Sequence, residues 1–597
     1  MKFTAWLEKR AHSFAIWRRF QSHLSEHKRD LALVFGAGLL GAGLDILRPW
    51  TLAWIFDYAL APSQEVEGRF TFGFVIGTGV AAALLIALGR AGLEYFGTVR
   101  RALVGHAVTR QLRYRIFAHL TDLSLGFHAK NKSGDLLMRL MGDVPMVRTM
   151  LVDSAVVLTS RLVLIVGMLV VMLAEDAQLT LIVFSIVPIL LVVVRLLSKR
   201  IKVAVQKQRK KEGMLADFLH EAVAGVAVIQ ALGRGPDTVR RFARDNRRSA
   251  RAGLKATRLA AGMALTVEGL LAVIFVITLA YGSVRVGDGN LSPGTLLVFL
   301  SYVRSLLKPI RSAARHSEKM ARGTACGERV LEILDAKVQI ASKPDAPAAP
   351  ERPASLAYEG VEYGYEKGSP VLHEFNARFE RGDVVGVFGR SGAGKSTMAS
   401  LAVRLADPQK GAVRMDDVDI RDLELESLRD RFGMCMQETT LFGEAIRENL
   451  LLGDPEATDE QLWDALRAAA AAGFVEELPD GLDTVLDTAG GGLSGGQRRR
   501  ISLARTLLRG APVLVVDEPF SGLDREAVLH VRKSLVAAAQ DGIVIVICHE
   551  PEHLEVFDRV VFVNEGRAVD TGTHEELVQR CAEYREVLGR IPTGLAS

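Results

Sequence analysis

Hydrophobic and polar positions divide this chain into two halves with different rhythms. In the first half, six apolar stretches are long enough to cross a bilayer: 31–60, 71–95, 153–174, 178–197, 259–284 and 294–314. Polar residues interrupt the last two. After the second and fourth stretches, helical periodicity runs on well past any bilayer. Each of these long connections contains one break, at Lys130-Asn131-Lys132-Ser133-Gly134 and at Leu232-Gly233-Arg234-Gly235-Pro236. They predict helices projecting roughly 35–40 Å from the membrane, far enough to touch a second domain and follow its movement, or else to stand as solvated hairpins. The second half is built from short runs instead. Ser355–Tyr365 and Val371–Phe379 alternate like strands, while Val384–Phe388, Val513–Val516 and Ile543–Ile547 are continuously apolar, as buried strands are. Between the halves, from Asp335 to Ser355, no period persists and the composition turns to Pro and Ala, which predicts a linker.

The expected organisation is therefore a basic N-terminal segment at 1–30, an all-α polytopic membrane domain at 31–335 and a linker at 336–355. An α/β P-loop ATPase domain follows at 356–597. The apolar fraction of 49% and mean hydropathy of +0.19 are high for a nucleotide-binding protein, and the excess sits in the first half. The net charge of +5 says little; its placement says more. Between residues 96 and 152 there are nine Lys/Arg against three acids, and between 195 and 257 there are sixteen Lys/Arg. The three short connections together hold two basic residues. That bias places the long connections, the N-terminus and the ATPase domain in the cytoplasm. The four cysteines have neither metal-ligand nor redox spacing, which suits reduced thiols in a cytosolic region. Met1–Asp30, basic with Trp6, Phe14, Trp17 and Phe20, fits a helix lying on a membrane surface, with a solvated leader helix close behind.

The chemistry centres on Gly389-Arg390-Ser391-Gly392-Ala393-Gly394-Lys395-Ser396-Thr397. It follows the apolar run Val384–Phe388 and opens a helical pattern. That is the context in which G-x-x-x-x-G-K-[ST] cradles phosphates with backbone N–H groups. Lys395 then reaches the β/γ-phosphates and the Ser396 hydroxyl is placed on Mg²⁺. Asp517 and Glu518 end another apolar strand, where the first suits a Mg²⁺-water ligand and the second a general base. Gln437 and His549 follow strands too, within reach of a metal, a water or a γ-phosphate, although each residue type at a strand end is also common packing. Tyr365, 24 residues before Gly389, can stack on an adenine or simply pack. Leu493-Ser494-Gly495-Gly496-Gln497 precedes a basic helix that Ser494 would cap, offering a second anion site.

In this order the motifs resemble an ATP-binding cassette. Gly389–Thr397 resembles its Walker A, Gln437 its Q-loop, Leu493–Gln497 its signature, and Asp517-Glu518 its Walker B with the catalytic glutamate. Ser521–Asp524 resembles the D-loop, His549 the switch histidine and Tyr365 the aromatic A-loop position. Phe127–Leu136 and Phe218–Arg234 are similar to the coupling regions of exporter half-transporters. One departure is Asp487-Thr488-Ala489-Gly490, where exporters carry a glutamate near position 488.

The resemblance implies ATP and Mg²⁺ as cofactors and a second, identical or related, subunit as partner. Each ATP would lie between one subunit's Tyr365 and Walker A and the other's Ser494, Gly495, Gly496, Gln497 and Asp524. It implies ATP-driven export or flipping of a small-molecule, lipid or peptide substrate across the cytoplasmic membrane, with no nucleic-acid partner. A nucleotide-gated channel on the same architecture is the alternative reading. For the substrate pathway, Arg304, Lys308, Arg311 and Arg315 recur on one helical face of the sixth span. Arg304 would lie roughly 18 Å deep. The stripe either lines a cavity for an anionic or amphipathic substrate or is a cytoplasmic extension with Arg304 paired to Glu268 or Glu94.

Overall fold

The computed structural model describes residues 15–20, 25–60, 72–365, 368–437, 439–487 and 490–590. It divides into two compact units, Met1–Ala118 with Leu136–Asp335, and His119–Asp135 with Ala336–Ser597.

The described residues of the first unit form helices and no strand. Among the described residues, five helical stretches are long and apolar enough to cross a membrane: Ser25–Tyr58, Gly73–Asp122, Ser133–Glu175, Ala177–Ala224 and Gly235–Gly287. Large apolar side chains such as Leu84, Leu85 and Leu88 point outward, an arrangement that needs an apolar solvent. The sixth expected span is not among the five. Its apolar part is the helix Pro293–Ser305, of 13 residues, after which the helix breaks at Leu306 and restarts as Leu307–Leu334. Pro309 has no N–H for the Ser305 carbonyl. In the first turn of the new helix that loss is harmless.

Each long connection has two breaks rather than the single one expected. Short helices, Leu125–Lys130 and Val226–Ala231, sit between the breaks. The helix through Ser133–Glu175 contains two π-helical turns, Arg139–Asp143 and Thr149–Ser154. Polar links tie the bundle together. Asp176 caps one helix through the Leu179 N–H and meets Arg285 at 2.9 Å. The Trp50 indole donates to Tyr302, whose hydroxyl donates to the Ile46 carbonyl. Arg329 grips the buried Asp143 with two nitrogens, at 2.6 and 2.7 Å. At the N-terminus, Ile16 and Phe20 are buried and Arg19 pairs with Asp335. These residues pack into protein rather than onto a surface. Trp6 and Phe14 lie outside the described residues, as does the connection Ser63–Arg69.

The described residues of the second unit form ten strands: β1 (Ser355–Tyr363), β2 (Leu372–Glu380), β3 (Val384–Phe388), β4 (Lys410–Met415), β5 (Val418–Asp419), β6 (Phe432–Cys435), β7 (Val513–Asp517), β8 (Ile543–Cys548), β9 (Arg559–Asn564) and β10 (Arg567–Gly572). An antiparallel sheet runs β2-β1-β4-β5. The larger sheet runs β10-β9-β3-β8-β7-β6, parallel except for its β10 edge. The continuous apolar runs follow from this. Val385, Val387, Val513, Val515, Ile543 and Ile545 face one core with Met398 and Leu401. Their neighbours Val384, Phe388, Leu514, Val516, Val544 and Val546 face the other with Ile501 and Leu535. Both faces are covered, so every position is apolar. The stretch from Ala336 to Pro353 forms neither helix nor strand, yet it is pinned here: Ala349 is buried, and Ser342 and Ser427 hydroxyls accept from Leu425 and Ala349 N–H groups. The tip His119–Asp135 is held in the same unit, through His119 to the Ala336 carbonyl at 2.9 Å and Ser124 to Gln339 at 3.1 Å.

Candidate nucleotide site

Strand register brings the predicted residues to one edge. β3 and β7 flank β8, with Phe388 opposite Cys548 and Asp517 opposite Ile547. Their C-terminal ends therefore lie side by side, where open α/β sheets bind ligands. The loop Gly389–Gly394 leaves β3 and starts the helix Lys395–Ala402. Gly389 is obligatory by contact, because a Cβ there would sit 2.0 Å from the Val563 carbonyl oxygen. Gly394 is obligatory by conformation, at φ +102°. Arg390, Ser391 and Gly392 are exposed at the outside of the turn, Ala393 and Thr397 buried beneath it.

Lys395 is buried, and its ammonium donates to the Gly389 and Arg390 carbonyls at 2.7 and 3.0 Å. Burial pushes its pKa below the ordinary lysine value, against the pull of Asp517 and Glu518. The Ser396 hydroxyl donates to Asp517 Oδ2 at 3.1 Å. Asp517 is buried, which pushes its carboxyl above the usual range. Glu518 adopts φ +53°, unusual for a residue with a side chain, and its N–H donates to the Ile547 carbonyl. The turn aims its carboxylate at three side chains. Gln437 Nε2 donates to Oε1 at 3.0 Å, His549 Nδ1 lies 2.9 Å from the same oxygen, and Arg499 reaches Oε2 at 3.8 Å.

Tyr365 is exposed, edge-on to Tyr363 at 5.3 Å, with its hydroxyl 3.2 Å from that of Thr397. The second glycine motif opens the helix that carries Arg499. Ser494 caps the helix Gly495–Leu508 and forms a reciprocal pair with Gln497. Asp524 caps the helix Arg525–Ala539. Nothing among the described hydrogen bonds or ion pairs joins Ser494, Gly495, Gly496, Gln497 or Asp524 to Lys395 or Glu518. Thr488 and Ala489 lie outside the described residues. In the first unit, Arg304, Lys308 and Glu268 are exposed, and Glu94 pairs with Arg90 at 3.2 Å rather than with Arg304.

In the sequence Arg499 is one arginine of a basic helix, yet in the fold it meets Glu518. The signal was present in the period. Ser502 and Thr506 follow Arg499 at i+3 and i+7, and they face β6 through Cys435 and the Met434 carbonyl. Cys548, beside His549, is buried, which pushes its thiol up to about 12.

These features have relatives. A profile of the ABC transporter transmembrane region matches residues 31–310, and a second, described as ABC transporter, matches 372–521. An ATP-dependent lipid A-core flippase of Syntrophus aciditrophicus (strain SB) is 30% identical over 84% of this chain and 84% of its own length. A multidrug efflux ATP-binding/permease protein of Mycobacterium tuberculosis is 31% identical over 96% of this chain and 47% of its own. A bacterial Atm1-family ABC exporter, solved with ATP bound, shares the fold with a TM-score of 0.79 at 23% identity, over 96% of this chain and 99% of that one. The chain belongs to the ABC transporter family, as a multi-pass membrane protein of exporter type whose ATP-binding half couples ATP hydrolysis to transport.

Proposed function

We propose that two copies of this chain form the working exporter, in the cytoplasmic membrane, with the N-terminus and ATPase domains on the cytoplasmic side. Each chain contributes six spans, the interrupted Pro293–Ser305 segment completing the sixth. The observation that carries the mechanism is the single carboxylate of Glu518, touched by side chains from three separate segments. Glu518 takes the proton of the attacking water. Gln437 and His549 hold its carboxylate in position, and Gln437 and His549 also reach toward the metal and the γ-phosphate respectively. Lys395 leaves its two carbonyls for the β/γ-phosphates, with the N–H groups of 389–397 around them and the Tyr365 ring under the adenine.

Mg²⁺ fits the donors present. The Ser396 hydroxyl and Asp517 carboxylate, two hard oxygen ligands, converge within 3.1 Å, and Gln437 offers an amide oxygen. That suits an ion held by few protein ligands plus phosphates. When bound it offsets phosphate charge.

Pairing is supported by a relative about twice as long that this chain matches over nearly its whole length. Ser494, Gly495, Gly496, Gln497 and Asp524 would then serve the opposite subunit's ATP. ATP favours the paired state because both surfaces bury it, and hydrolysis releases it. The names of the relatives, a lipid A-core flippase and a multidrug efflux protein, support an amphipathic cargo. Arg304 and Lys308, with Glu268, supply the polar path for an anionic one.

The test is ATP-dependent accumulation of an anionic and a cationic amphipath in inside-out vesicles. Accumulation of the anion should be lost in Glu518→Gln and reduced in Arg304→Gln/Lys308→Gln. Equal handling of both amphipaths before and after the second change would remove the stripe. Downhill flux without accumulation would favour a gated channel.

A further inference from the structure

Where the helices Ala177–Ala224 and Gly235–Gly287 leave the apolar spans, a cavity of about 660 Å³ opens between them. Its lining follows from helical spacing. Lys199, Val203, Lys207 and Lys211 recur every four residues on one helix, and Arg251, Lys255 and Leu259 do so on the other. Ala204 and Ala252 keep the space between them open. With Arg200, six cations surround an apolar floor.

None of the six is in an ion pair with a described acidic residue. The acids closest along the two helices are engaged elsewhere: Glu212 accepts from Gln208, and Asp245 meets Arg244 and Arg248. Lys211 donates to the Arg248 carbonyl. Surface cations that serve only topology need no cavity and no apolar floor. An anionic headgroup above an acyl chain satisfies both parts of this lining at once.

We infer that this cavity is a binding site for an anionic membrane lipid, its phosphate held by Lys207, Arg251 and Lys255 and its chains against Val203 and Leu259. The inference leans on the exporter reading only for the side of the membrane that the cavity faces. The site lies on helices other than the one carrying Arg304 and Lys308.

The test is native mass spectrometry of the purified full-length chain, titrated with phosphatidylglycerol and with phosphatidylcholine of the same acyl chains, without ATP. Preferential, saturable retention of phosphatidylglycerol is expected, not displaced by inorganic phosphate. Lys207→Gln/Arg251→Gln/Lys255→Gln should weaken it roughly 100-fold, given on the order of several-fold to tenfold per charge. Ala204→Phe keeps every charge and fills the space, so it too should lose the lipid. Retention by Ala204→Phe equal to that of the parent would overturn the site in favour of general surface attraction. So would equal retention of the two lipids, displacement by inorganic phosphate, or a cavity closed by a second copy, seen as parent dimers that bind no lipid where monomers do. Because no turnover is measured, a failure here leaves the role of Glu518 untouched, and normal turnover in Glu518→Gln would leave this site untouched.

Discussion

Two helices in the nucleotide-binding half begin at glycine-rich turns, and they begin differently. Lys395–Ala402 starts behind Gly394 in a left-handed conformation, with no side chain bonded to its first turn. Gly495–Leu508 starts behind Ser494, whose hydroxyl accepts from the Gln497 N–H at 3.2 Å while the Gln497 side chain returns to the Ser494 N–H at 2.8 Å. First-turn N–H groups have no partner inside their own helix. One helix therefore keeps all its donors for a ligand, and the other satisfies part of its set internally. A glycine motif is thus two kinds of device. The first can wrap a polyphosphate by backbone alone. The second can offer one face to a single phosphate, with the Ser494 hydroxyl as an added donor.

The largest expected effect tests the open device. Lys395→Ala removes the ammonium that donates to the Gly389 and Arg390 carbonyls, and ATP turnover should fall on the order of 10³-fold. Retained turnover would mean that the loop does not hold the phosphates. The next experiment sets one device against the other. Subunits carrying Lys395→Ala, mixed with subunits carrying Ser494→Arg, leave one intact composite site per mixed pair, and partial ATPase should return. Mixed pairs shown to form without any activity would confine both motifs to one chain.

Gly394→Ala forces a side chain into φ +102° and 2.6 Å from Leu372 Cδ2. It should destabilise the domain by about 1–2 kcal/mol, read as a lowered unfolding temperature, and an unshifted melt would contradict the obligatory turn. Ser494→Ala should cost about 1 kcal/mol of helix capping while leaving ATP affinity of the unpaired chain unchanged. A loss of affinity in the unpaired chain would mean that the second device serves its own subunit's nucleotide.

How well these regions could be read from sequence differs for physical reasons. The phosphate loop was legible because glycine positions, lysine and flanking strand are all local, and β3, β7 and β8 announced themselves by having both faces buried. Gln437, Glu518 and His549 are each marked by a place at a strand end, whereas their meeting at one carboxylate depends on strand order. Arg499 was hidden because its contact depends on helix packing against β6, not on the run of arginines. In the membrane half, hydropathy found five of the crossing helices. It passed over the break at Leu306, which a hydrogen-bond argument at Pro309 explains and an apolar window cannot see. Two breaks instead of one in each long connection went unread for a similar reason. Gly225 at ψ 17° and Ser124 at ψ 153° turn the backbone out of the helix without interrupting the pattern of side chains.

The π-helical turns Arg139–Asp143 and Thr149–Ser154 have a consequence for inheritance. Each amounts to one residue inserted into an otherwise regular helix. Loss of a single codon within either turn would restore α-helical winding and leave the helix unbroken, whereas the same loss elsewhere rotates the flanks by about 100° against one another. Within the first turn, that loss would also swing Asp143 away from Arg329, whose two-nitrogen grip it now fills. Reading-frame-preserving deletions should therefore be better tolerated at 149–154 than at 139–143, and a scan of single-residue deletions through 133–175 would rank the two.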